Sequence, residues 1–159
     1  MKENGFTLVE IIIVIAIIAI LLALATINFS ALSRKHNMEA QVKQMYTDML
    51  SAKVDAMHKR RQFTVDTNVI TNRYTITDVT TGTVVQKTLK FPVTTSAGAG
   101  TLTFDVNGLN ITPNTPQAIC LQSNDASLAY DAIIIDQVKI NLAKRNPGGN
   151  CVIANCTIK

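Results

Sequence analysis

From Ile11 to Ser33 the chain carries no charged residue. The stretch Phe6 to Ile27 is 22 residues long, and Thr7, Glu10 and Thr26 are its only polar members. About 20 consecutive apolar residues let a helix cross the hydrocarbon of a bilayer. The sequence therefore predicts a transmembrane helix over 6–29. A secretory signal peptide would have a shorter apolar region with a small-x-small cleavage site after it. Ala23 and Ala25 can imitate that site, but the length favours an anchor. Flanking charge does not orient the helix, because Lys2 is offset by Glu3 while Arg34 and Lys35 lie on the far side. Glu10 is the anomaly, since an ionised carboxylate in hydrocarbon is costly unless it is paired.

After Ser33 the apolar positions become periodic. Met38, Val42, Met45, Met49, Ala52 and Ala56 follow spacings of 4, 3, 4, 3 and 4, which is one face of a helix. Tyr46, Leu50 and Met57 widen the stripe, and Glu39, Gln41, Lys43, Asp48 and Asp55 are expected on the opposite face. Neither proline nor glycine occurs from Phe6 to Phe63. One helix of about 55 residues, roughly 80 Å at 1.5 Å per residue, is the expectation. Its amphipathic continuation, 30–62, should lie against a sheet. The run His58-Lys59-Arg60-Arg61 ends it, where cations suit the helix dipole. The methionines sit at core spacing and read as packing rather than as a soft-metal stripe.

From Phe63 the pattern changes to short strands and turns, so 63–159 reads as a β-rich globular domain. Expected strands are Arg73–Thr77, Val84–Phe91, Thr101–Val106, Ala118–Gln122, Leu128–Ile135 and Val138–Leu142. Asn107-Gly108 signals a hairpin returning through Leu109–Thr112. Ser96 to Gly100, Pro113 to Pro116 and Asn146 to Asn150 read as loops. The fold class is α+β: a long N-terminal helix packed on a C-terminal antiparallel sheet. A chain of 159 residues with 47% hydrophobic content suits one domain plus an appendage. The formal charge of +4 does not by itself mark a nucleic-acid binder.

Cys120, Cys151 and Cys156 are the three cysteines, and His36 and His58 lie in another segment. No Cys-x-x-Cys pair exists, so a metal site is not expected. Outside the cytoplasm a disulfide is the better reading. Three pairings are possible and each leaves one thiol over. Cys120 with one tail cysteine would tie the chain end to the sheet, and Cys151 with Cys156 is the alternative. No catalytic motif is present. Six aspartates are spread through the domain, and Asp66, Asp105, Asp125 and Asp136 lie at turn signals. The Asp125 and Asp131 region lacks EF-hand spacing. No catalytic residue and no cofactor are expected.

The stretch GFTLVEIIIVIAIIAILLALA resembles the class III leader of type IV pilins and type II secretion pseudopilins. The resemblance implies that a prepilin peptidase cuts the 1–5 leader between Gly5 and Phe6 and methylates the new N-terminus at Phe6. Glu10 then becomes the fifth mature residue, which pairs with a neighbouring subunit's amine and sets register in assembly. Many major pilins carry a late proline where this chain has Ile27. Phe104-Asp105-Val106-Asn107-Gly108 and the later hairpin Ala132 to Ile140 resemble the GspH/FimT group of minor pilins and pseudopilins. Implied partners are other pilin or pseudopilin subunits, prepilin peptidase and an inner-membrane assembly platform. The implied location is the bacterial inner membrane, single pass, with the domain periplasmic or extracellular. Some FimT relatives bind DNA through a basic C-terminal region. Lys139, Lys144, Arg145 and Lys159 are the corresponding candidates here, with Leu142-Ala143-Lys144-Arg145-Asn146 in place of the group's Gly-Arg-x-Arg element.

Overall fold

The computed structural model describes residues 6–96, 100–113, 115–123 and 125–159, without the side chains of 24–28. The expected leader 1–5, most of the Ser96–Gly100 loop and the side chain of Ile27 thus lie outside the described residues. By internal contacts the chain forms two compact units, 1–36 and 37–159.

One helix, α1, runs Leu8–Lys59. Thr7 precedes it and caps it, its hydroxyl accepting the Glu10 N–H at 3.3 Å. Thr7-x-x-Glu10 has the spacing of a capping box. At the other end Arg60 takes φ 50°, and the Arg61 N–H reaches back to the Ala56 carbonyl at 3.1 Å. That is the long bond of a Schellman ending, built here on arginine rather than glycine.

The second unit pairs the later part of α1 with two antiparallel sheets. β1 (Phe63–Asn68), β2 (Arg73–Asp78), β3 (Val84–Thr88) and β5 (Thr101–Phe104) form the first, in the order β3-β2-β1-β5. β4 (Val93–Thr95), β6 (Gln117–Leu121), β7 (Ala132–Ile135), β8 (Ile140–Arg145) and β9 (Cys156–Ile158) form the second, in the order β4-β6-β7-β8-β9. Met38, Val42, Met45, Met49, Ala52 and Ala56 are all buried, as their spacing predicts. They share one core with Phe63, Val65, Tyr74 and Phe104 of the first sheet and with Ile119, Leu121, Ile133 and Ile135 of the second.

The second sheet is covered on both faces. Ile119 and Leu121 point into the main core, while Ala118 and Cys120 belong to a separate cluster with Ala132, Ile134 and Ala143. Cys151, Ile153 and Cys156 of the tail pack on that cluster. The outward set is mostly small, which leaves room for a strap of chain. Hence β6 and β7 are buried at every position.

Several expected boundaries move. β3 stops at Thr88, and Leu89 enters the core instead. β5 stops at Phe104, because Asp105 closes a turn by accepting the N–H groups of Asn107 and Leu109. The return past Asn107-Gly108 is a single bridge, Phe104 to Asn110, rather than a strand. Gly108 has φ +72°, and an added Cβ would lie 2.6 Å from the Met57 side chain, so the turn rests directly on α1. β7 begins at Ala132 rather than Leu128, and β8 covers 140–145 rather than 138–142. β1, β4 and β9 were not individually expected; two of them are three-residue edge strands.

The expected polar face of α1 needs correction. Asp48 is buried; it accepts the Tyr74 hydroxyl, the Lys87 ammonium at 2.7 Å and the Gln44 amide at 3.0 Å. Burial, then the hydrogen bond to Asp48 and its charge, push the Tyr74 phenol far up. The Gln41 amide bonds both backbone groups of Phe91 at 2.8 Å, and Glu39 accepts the Ala129 N–H at 2.8 Å. These side chains flank the stripe and pin loops to the helix.

Candidate functional site

The first turn of α1 gathers the N-terminal candidates. Phe6 and Glu10 are one helical turn apart and border one shallow apolar hollow with Ile11, Val14 and Ile15. The Thr7 cap starts the helix so that Glu10 falls in its first turn, where the helix dipole favours a carboxylate. The sequence reading missed this role of Thr7, although the Thr-x-x-Glu spacing announced it. Gly5 lies outside the described residues.

Every described side chain from Phe6 to Ala23 is exposed. Phe6 is 78% exposed and Ile15 60%. A helix apolar all round belongs in a membrane or in the core of an assembly. Among the described residues no helix is long and apolar enough to cross a membrane; the expected span 6–29 includes 24–28, whose side chains are not among them.

The structure joins Cys120 to Cys151, with Cα atoms 5.7 Å apart, and leaves Cys156 as a half-buried thiol. Burial first, then the Asp131 carboxylate, pushes that thiol up against the opposing effect of Arg145.

The four basic candidates do not converge. Lys144 donates to the carbonyls of Ala126 and Leu128 at 2.6 and 2.7 Å. Arg145 donates to the Ser123 carbonyl and lies 3.8 Å from the Asp131 carboxylate. Both hold the β6–β7 loop. Lys139 is exposed and precedes β8, about 20 Å along the strand from Arg145. Lys159 is exposed and its N–H pairs with Leu142. Asp131 is occupied by Arg145, and among the described residues no cluster of His, Cys, Asp or Glu could hold a metal ion.

A long N-terminal helix with its later part packed on antiparallel sheets is the pilin fold. The type IV minor pilin FimU of Pseudomonas aeruginosa is similar in structure: TM-score 0.53 and 13% identity over 69% of this chain and 90% of that one. The minor pseudopilin EpsH from the type II secretion system of Vibrio cholerae is similar too, with TM-score 0.55 and 15% identity over 72% and 99% of the two chains. At such identities the likeness establishes the fold. Residues 1–26 match a family model described as the prokaryotic N-terminal methylation motif. No curated protein matches the sequence significantly.

Proposed function

We infer that this chain is a minor pilin or pseudopilin subunit of the GspH/FimT kind, built into a type IV pilus or a type II secretion pseudopilus. One observation carries the reading: a methylation motif stands on an apolar helix whose described side chains from 6 to 23 find no cover, in a chain with the fold of FimU and EpsH. Its role is to polymerise rather than to catalyse. A prepilin peptidase removes 1–5 and methylates Phe6. The helix over 6–29 then holds the subunit in the inner membrane as a single pass, with the domain outside the cytoplasm, until an assembly platform moves it into the fibre.

Cleavage leaves a positive amine at Phe6, one turn from Glu10. In hydrocarbon each of these charges is costly alone, and pairing between neighbours offsets much of that cost. Glu10 thereby selects the axial register at which subunits join. The test is the intact mass of the protein from membranes, with Gly5→Ala and Glu10→Ala beside it. The expected wild-type product starts at Phe6 and carries one added methyl group. Gly5→Ala should keep the leader, and Glu10→Ala should be processed yet fail to enter fibres. A full-length wild-type chain overturns the reading.

A further inference from the structure

Strand β3 ends its sheet, and β2 is its sole neighbour among the described strands. Four of its five residues are exposed and the fifth is half-buried, with Val84 at 57% and Val85 at 49%. Such an edge presents a row of backbone donors and acceptors that folded proteins usually blunt with outward lysines. The lysine of this strand, Lys87, is drawn to Asp48 on the helix instead. Between β3 and α1 runs a groove of about 400 Å³. Ser51 and Asp55 line its helix side, and Phe63, Ile76, Val85 and Lys87 its sheet side.

The charges of this groove are unequally placed. Asp48 and Asp78 lie beneath their partners, with side chains 12% and 8% exposed, while Lys87 and Arg61 above them keep 38% and 41%. Lys59 is 45% exposed beside Asp55. Each cation is paired with a carboxylate of the groove, and at two of the three pairs the cation rather than the acid is presented outward.

We propose that the free edge of β3 receives an extended, acidic segment of a partner protein, which adds to the first sheet as a strand and turns its carboxylates toward this groove. Strand addition takes its affinity from main-chain hydrogen bonds and its selectivity from alternate side chains. The free edge requires a polypeptide in extended form, since a sugar–phosphate backbone cannot continue a β-ladder. The outward-facing Lys87 and Arg61 favour carboxylates on the side facing α1. Val85 offers apolar contact on the face toward α1, and Val84 offers it to the alternate residues on the opposite face.

The experiment uses the full chain in detergent micelles and a short capped peptide of alternating Glu and Val. Binding is read by calorimetry, and its place by slowed amide exchange in Val84–Thr88. N-methylating alternate peptide nitrogens keeps the charge and removes the ladder, and should weaken binding at least about tenfold, the worth of one or two hydrogen bonds. Replacing Glu by Gln in the peptide should weaken it comparably at low salt. Lys59→Gln should do so more mildly, and that variant keeps the fold because an exposed i,i+4 pair contributes little. Undiminished binding of the N-methylated or the Gln peptide overturns the proposal. So does failure of the peptide to bind, protection elsewhere than β3, or displacement of the peptide by duplex DNA with equal affinity.

Discussion

The two stretches of α1 belong to one helix and obey opposite rules. From 6 to 23 every described side chain is exposed and almost every one is apolar. From 37 to 59 six apolar residues are buried in a single stripe, and polar neighbours pin loops on either flank. The later stretch takes its stability from contacts that its own chain provides. The earlier one is exposed at every described side chain; on the proposed reading lipid or other subunits cover it, and one element serves both as the core of a domain and as the joint of an assembly.

The largest test of this contrast is Met49→Ala. Met49 is fully buried, and emptying its site should cost about 2–5 kcal/mol, read as a fall in the thermal midpoint of the domain. Next comes the covalent tie. Cys120→Ser with Cys151→Ser opens a loop with a sequence separation of 31 and should cost about 3–4 kcal/mol by chain entropy. Both losses belong to the second unit and should appear whether or not the first is embedded.

A smaller effect should follow pH. Burial pulls the Asp78 carboxyl upward, but bonds from Thr81, Thr80 and Arg61 together outweigh it and hold it below the usual carboxylate range. A group so lowered adds stability above its unfolded pKa, about 3.9, and loses it as the pH falls through the folded value. The thermal midpoint should therefore drop on acidification below about pH 4, and Asp78→Asn should flatten that drop. The smallest effect sharpens the contrast most: Ile15→Ala should leave the domain's midpoint unchanged while reducing entry into fibres. A fall like that of Met49→Ala would erase the distinction between the two stretches.

Much of this was readable in advance because periodicity is local. The stripe from Met38 to Ala56 follows from its 3.6-residue period, and Arg73–Thr77 and Ala118–Gln122 from strand-forming runs between turn signals. What depended on distant partners was not readable. Asp48 looks like a solvent-face residue until Tyr74, 26 positions on, and Lys87, 39 positions on, close over it. β4 and β9 are three residues each, and pairing rather than propensity makes them strands. Lys144 and Arg145 stand among the candidate DNA contacts in the sequence, yet both are engaged in holding the β6–β7 loop. The tail cysteine that meets Cys120 depended on the path the tail takes across the sheet. Of the N-terminal site, the acid and its context were legible. The Thr7 cap is equally local, carried by the Thr-x-x-Glu spacing at the start of the apolar run.

The strap that ends the chain has an evolutionary corollary. Between Asn146 and Asn155 the tail lies over the second sheet, held by a covalent bond and a few small-residue contacts. Its exposed positions are therefore decoupled from the main core. Descendants of this gene can rewrite that face, and with it what the subunit shows to neighbours or surroundings, while the helix stripe and the inner faces of both sheets stay fixed.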